Sequence, residues 1–227
     1  MQLVMFDIDG TLTQSNDLDD EAFLQALFEV FRFSEVSNDW TSYSHVTDAC
    51  ILKEVCQHQL GRNPSLDEVA RFQMRFLELL AKGAASIGGI QPVSGASSIL
   101  SELLTSSDHH VAYAGGAWTA SALFKLQSAN LPIQTIPYAF SDDDESREGI
   151  TAIALIRAEK QYGQTFSSIV YVGDGVWDIR SARKSGYQFI GIASGDEAES
   201  LHNEGAPFIF PNYDEPERFF AALRSAA

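Results

Sequence analysis

The sequence predicts an α/β fold, a doubly wound parallel sheet that carries an inserted all-helical segment. Three observations predict it. Four short apolar runs, each ending in small or acidic residues, have the composition of buried parallel strands. Helical patterns separate three of these runs, the alternation expected of an open sheet covered on both faces. Between Thr13 and about Gly89 the pattern changes to helix after helix with no convincing strand.

In chain order, residues 3–8 form the first strand, and helices follow over 18–33, 46–60 and 65–82. The last of these opens on Ser65 with Glu68 three residues later, the spacing of a capping box. The Gly and Pro cluster GGIQPVSG, residues 88–95, suits a hinge, and a helix over 96–104 leads back to the sheet. A strand over 110–115 and a helix over 123–130 come next, with a weaker strand candidate over 135–140. A helix over 150–162, a strand over 168–173, a helix over 178–185 that stops at Gly186, and a strand over 189–193 complete the pattern. The expected division is an α/β core of residues 1–13 and 90–227 around a helical cap of residues 14–89. Ligands of such sheets bind beyond the carboxyl ends of the strands, where Asp7, Asp9 and Asp174 fall.

The composition bounds the function. A chain of 227 residues suits one domain plus a substantial insertion, and 45% hydrophobic with 20% charged residues is ordinary for a globular protein. With 31 acids against 15 Lys and Arg, the net charge of −16 would repel a phosphate backbone, so nucleic acid is not an expected partner. No membrane-spanning run or secretory leader is legible, which makes a cytoplasmic location the expectation. Cys50 and Cys56 are spaced for neither a redox pair nor a zinc knuckle and are expected to be reduced packing residues.

Chemistry is concentrated in FDIDGTLT, residues 6–13, where Asp7 and Asp9 close the first apolar run. Side chains two apart in a strand point the same way, so these carboxylates would crowd one spot and resist ionisation unless a cation or a reaction uses them. The run VYVGDGVWD, residues 170–178, is a second apolar strand ending in acids. Together the two segments resemble the haloacid dehalogenase-like superfamily of phosphohydrolases. The resemblance implies that Asp7 is a nucleophile forming an aspartyl-phosphate and that Asp9 is the general acid and base. It further implies a Mg²⁺ ion held by Asp7, Asp174 and the backbone carbonyl of Asp9, with Asp178 in support. An all-oxygen site suits that ion and would relieve the crowding of the acids. Asp9 also separates the phosphatases and phosphomutases of the superfamily from its dehalogenases, which lack this acid.

Two positions depart from the pattern. Where the superfamily has a Ser or Thr that binds the phosphoryl group, this strand reads VAYAGGAW, which leaves the backbone N–H groups of Gly115 and Gly116 as phosphate donors and Thr119 as a distant hydroxyl. Where the superfamily has a Lys, SDDDESREGI supplies Arg147, a cation that can bind phosphate bidentately or merely pair with its acidic neighbours. Asp142 to Glu145 read as a solvated loop.

The insertion resembles the helical cap of the phosphoglycolate phosphatase-like and β-phosphoglucomutase-like branch. In WTSYSHVTD, residues 40–48, Thr47 and Asp48 are substrate-binding candidates with His45 behind them. The alternative packs Trp40 and Tyr43 into the cap and leaves His45 on its surface. Trp118 and Trp177 either wall the pocket or fill the core. Three readings follow: a phosphatase acting on a small phosphorylated metabolite, a phosphomutase, or a phosphate-binding regulatory protein on the same scaffold. Phosphoglycolate, sugar phosphates and nucleoside monophosphates all remain open as substrates, as do monomer and homodimer. A nucleotide-binding dehydrogenase is excluded because the first strand runs into Asp-Gly-Thr, not a G-x-G-x-x-G turn.

Overall fold

A computed structural model describes residues 1–226. The first strand, β1 (Gln2–Phe6), is buried along its whole length and leads into α1 (Asn16–Phe31), α2 (Asp48–Leu60), α3 (Leu66–Ser86) and α4 (Ala96–Thr105). Then come β2 (His109–Ala114), α5 (Thr119–Ser128), β3 (Tyr138–Ala139), α6 (Arg147–Tyr162), β4 (Ser168–Gly173), α7 (Val176–Ser185) and β5 (Gln188–Ile192). The chain ends with α8 (Gly195–Asn203), β6 (Ile209–Phe210) and α9 (Pro216–Ser225). The six strands form one parallel sheet in the order β3-β2-β1-β4-β5-β6, so the order reverses at β1. A crevice at such a reversal is where doubly wound sheets place their ligands.

Strand alternation sorts the core into two layers. Val4 and Phe6 face Ile99 of α4, Leu126 of α5 and Phe219 of α9, while Leu3 and Met5 face Ile150 of α6, Ile179 of α7 and Leu201 of α8. The helices α1 to α3 build a third cluster around Phe23, Leu27, Phe72 and Phe76, and Trp118 at the head of α5 plugs into it, stacked on Phe23. Trp118 is therefore packing, not pocket wall. The capping box of Ser65 and Glu68 is present.

Three sequence expectations change. The weak strand over 135–140 contracts to Tyr138–Ala139. The region after residue 193, where no element was expected, supplies α8, β6 and α9; β6 is only two residues long, too short for a periodic signal. The first strand stops at Phe6, so Asp7 and Asp9 do not share a strand face. Asp7 still joins the ladder by donating its N–H to Val172, but Asp9 lies in a turn closed by Leu12 N–H to the Ile8 carbonyl and Gly10 N–H to the Thr13 carbonyl.

Candidate active site

The cavity beyond the carboxyl ends of β1, β2 and β4 has a volume of about 140 Å³. Asp7, Asp9, Gly116, Arg147, Asp174 and Trp177 line its sheet side, and Asp19, Asp20, Phe23, Trp40 and Asp48 its helical side. The same local rule delivers Asp7, Asp9 and Asp174: a buried strand ends, the backbone turns, and the next polar side chain projects over the sheet edge.

Asp7 follows β1 directly and is buried at the floor of the cavity. Burial is the main reason its pKa stands well above the usual carboxylate range; Asp178 adds to the rise and Arg147 opposes it. Among the acids, Asp178 and Asp174 act on Asp7 more strongly than Asp9 does, so the crowding read from the D-x-D spacing comes mainly from the far segment. Carboxylate oxygens of Asp7, Asp174 and Asp178 lie within 4.8 Å of one another. Asp174 accepts a hydrogen bond from Asn16 Nδ2 at 3.0 Å, yet burial and Asp178 push its pKa up to about 7. Gly10 makes this approach possible: its φ is +67°, and a Cβ there would fall 1.9 Å from Asp174 Oδ2.

Arg147 opens α6 and reaches across the site. Its Nε donates to the Val46 carbonyl at 2.9 Å, and Nη1 donates to Asp178 Oδ1 at 2.5 Å and to Tyr171 Oη at 3.3 Å. Nη1 also lies 3.6 Å from Asp7 Oδ1. None of the acids beside it in sequence pairs with it; Asp143 and Glu145 instead pair with Arg157 and Lys53. That loop is thus bonded, not simply solvated. Asp178 is fully buried and also accepts from Gly175 N–H at 3.0 Å, so it anchors the guanidinium.

At the second strand end the two glycines diverge. Gly115 N–H donates weakly to the Ala139 carbonyl at 3.4 Å, whereas Gly116 N–H has no partner among the described residues. A Cβ on Gly115 would lie 2.3 Å from Asp7 Oδ1, so the nucleophile candidate occupies the space a side chain would need. A Cβ on Gly116 would lie 2.5 Å from the Val46 carbonyl and 2.8 Å from Arg147 Nη2, a nitrogen likewise unpartnered among the described residues.

The helical side departs from expectation in detail. Thr47 lines the cavity, but its hydroxyl donates to the Glu145 carbonyl at 2.7 Å and caps α2 at Cys50 N–H, so it fastens the insertion to the sheet. Asp48 accepts from Trp118 N–H at 2.9 Å, and burial raises its pKa to about 7. His45 lies 3.9 Å from Glu148 and is absent from the cavity lining, as is Thr119, whose N–H is bound by Asp142. Trp40 packs edge-on against Phe23 in the helical cluster and also faces the cavity while donating to Asp20 Oδ2 at 2.9 Å. Cys50 and Cys56 are buried, free thiols whose pKa burial raises to about 11, in keeping with packing residues.

Sequence reasoning missed Lys125. This residue of α5 is wholly buried and pairs with Asp9 Oδ2 at 2.7 Å, while Ser15 Oγ donates to Asp9 Oδ1 at 2.5 Å. The signal was present: Ser121, Ala122, Lys125 and Leu126 make up the buried face of α5, so the lysine falls at an apolar position of the helical period.

Fold and site together define a doubly wound parallel-sheet protein with an acidic, arginine-braced cavity at its strand reversal. The chain belongs to the haloacid dehalogenase-like hydrolases, whose family model matches residues 1–186. Solved structures share the fold at low identity. CbbY from Rhodobacter sphaeroides in complex with phosphate aligns with a TM-score of 0.70 at 18% identity, covering 94% of this chain and 95% of that one. A candidate β-phosphoglucomutase from Bacteroides vulgatus gives 0.71 at 17%, covering 100% and 90%. A HAD hydrolase, family IA, variant 3, from Entamoeba histolytica gives 0.69 at 20%, covering 95% of each chain. No curated protein matches the sequence significantly. No helix of the described residues is long and apolar enough to cross a membrane.

Proposed function

We propose that the protein is a Mg²⁺-dependent phosphatase that hydrolyses a small phosphate monoester through an aspartyl-phosphate on Asp7. The observation that carries this reading is that Gly116 and Arg147 line the same cavity as Asp7 and Asp9, with Gly116 N–H and Arg147 Nη2 both unpartnered among the described residues. Such donors match the oxygens of a phosphoryl group. A carboxylate oxygen of Asp7 attacks phosphorus, the bond from phosphorus to the ester oxygen breaks, and Asp9 gives its proton to the departing alkoxide. Asp9 then takes a proton from water as that water attacks phosphorus, the bond from phosphorus to Asp7 breaks, and inorganic phosphate leaves with Asp7 restored.

The acidic trio fits Mg²⁺. Its carboxylates are close, all-oxygen and held with raised pKa values by burial, so a hard dication would favour their ionised forms. Asp7, Asp174 and the Asp9 backbone carbonyl would hold the ion, with Asp178 bracing Arg147 beside it. The ion would supply charge neutralisation between nucleophile and phosphate.

The helical insertion acts as a cap on this reading, and its charge narrows the substrate. Among the described residues lining the cavity Arg147 is the one cation, while Asp19, Asp20 and Asp48 face the leaving-group side. A second phosphate or a carboxylate on the substrate would meet these acids unpaired, which favours an ester of an uncharged small alcohol over phosphoglycolate or the bisphosphate chemistry of a mutase.

The test is phosphate release from a panel of monoesters, including phosphoglycolate and a sugar bisphosphate, with Mg²⁺ and with EDTA, for wild type and Asp7→Asn. Metal-dependent turnover that falls by about 10⁴-fold or more in the variant is expected. Turnover that survives EDTA or Asp7→Asn would overturn the chemistry, and preference for the doubly anionic substrates would overturn the substrate reading alone.

A further inference from the structure

The hydrolytic scheme uses Asp9 but gives no reason for the cation behind it. Lys125 Nζ stands outside the cavity lining, with Asp9 and Asp19 between it and the cavity. Asp9 belongs to the turn after β1, Asp19 to the first turns of α1, and Lys125 to α5 of the sheet layer. The contact with Asp19 Oδ1 is close but poorly directed for a hydrogen bond, whereas the bond to Asp9 Oδ2 is well formed. Burying an ammonium costs several kcal/mol of desolvation, and a Met of similar length would fill the same volume without that cost. The charge is therefore explained by what it holds.

We propose that Lys125 is a positioning residue: with Ser15 it fixes the Asp9 carboxylate at both oxygens, and through Asp19 it ties that position to the docked α1 helix. Ser15 Oγ takes Oδ1 and Lys125 Nζ takes Oδ2, so the carboxylate plane has two fixed points and each oxygen keeps a lone pair for proton transfer. Ser15 is itself braced by Thr13 Oγ1 at 2.7 Å, so the serine side of the clamp is rigid. The functional consequence rests on the phosphatase reading, because only there does the place of Asp9 decide a rate.

Proton donation matters for an alkoxide leaving group and little for p-nitrophenolate, which departs unprotonated, whereas attack by water on the aspartyl-phosphate needs Asp9 in either case. Lys125→Met is expected to lower kcat on an alkyl phosphate about a hundredfold. On p-nitrophenyl phosphate it is expected to leave a rapid burst of one p-nitrophenolate per site followed by slow steady turnover. Equal slowing of burst and steady state, or wild-type kinetics, would overturn the proposal. Lys125→Met/Asp19→Asn removes one charge of each sign, which guards against loss of folding, and is expected to give the same burst. A crystal structure of the double variant separates the two ideas. If wild type releases no phosphate from any ester, the phosphatase reading falls. The clamp is still decided by coordinates: an Asp9 carboxylate swung away from Ser15 Oγ supports it, and one left within hydrogen-bond distance of Ser15 overturns it.

Discussion

Two buried cations flank the cavity, and they relate to it in opposite ways. Arg147 lines it, anchored along one edge to Val46, Tyr171 and Asp178, with Nη2 still open beside Gly116. Lys125 stands behind it, its ammonium taken up by Asp9 and Asp19. The difference follows from shape. A guanidinium has five donors in a fixed plane and can be held by some while presenting others; an ammonium is a compact point charge that two flanking carboxylates neutralise. The same problem, a cation among buried acids, is thus resolved on one side by a group that keeps donors open to the cavity and on the other by one enclosed behind its carboxylates.

Removing the binding cation is the strongest way to break this comparison. Arg147→Ala leaves Asp7 and Asp178 buried without their cation, which is expected to cost about 3–5 kcal/mol in urea denaturation. Arg147→Lys restores charge without the fork, so stability is expected to recover in part while inhibition by inorganic phosphate weakens at least about tenfold. Wild-type phosphate affinity in the Lys variant would mean that the guanidinium geometry is irrelevant.

A smaller effect is expected at Gly115. A Ser here would put its Cβ 2.3 Å from Asp7 Oδ1, so Gly115→Ser is expected to displace Asp7, the proposed nucleophile, and lower kcat between about ten- and a hundredfold, with folding intact. A gain in kcat would instead show that an added hydroxyl outweighs the displacement.

A third comparison sets the acids of the two sides against pH. Burial holds Asp174, near Arg147, and Asp48, near Lys125, at about 7 in the folded protein, well above the ordinary carboxylate value of 3.8. Between those values the folded state binds protons that the unfolded state does not, so their contribution to stability is complete at low pH and is lost as pH rises through about 7. For metal-free protein the Tm is expected to fall between pH 5 and pH 8, and Mg²⁺ to raise it more at pH 8. A Tm that climbs across this window without metal would contradict the burial of these acids. A Mg²⁺ response lost in Asp174→Asn and kept in Asp48→Asn would place the ion on the Arg147 side.

Much of this site is legible along the chain. Asp7, Asp9 and Gly10 follow an apolar run, Asp174 and Asp178 follow another, and Arg147 opens a periodic segment, so each is marked by its neighbours in sequence. The sheet was legible for the same reason: strand burial writes itself as consecutive apolar residues. Thr47 was legible as a polar candidate for substrate binding, but not as the cap and fastener it is, because its partner Glu145 lies 98 residues away.

The sequence by itself determined the α/β class, the strand ends and the acids placed there, because burial and turn chemistry act over a few residues. Only the tertiary structure decided which acid meets which cation. Lys125 and Asp9 are 116 residues apart, Arg147 and Asp178 are 31 apart, and each pair meets because packed helices and strands bring it to one sheet edge. Coulomb attraction in a buried site depends on distance in space, and no local pattern records that distance.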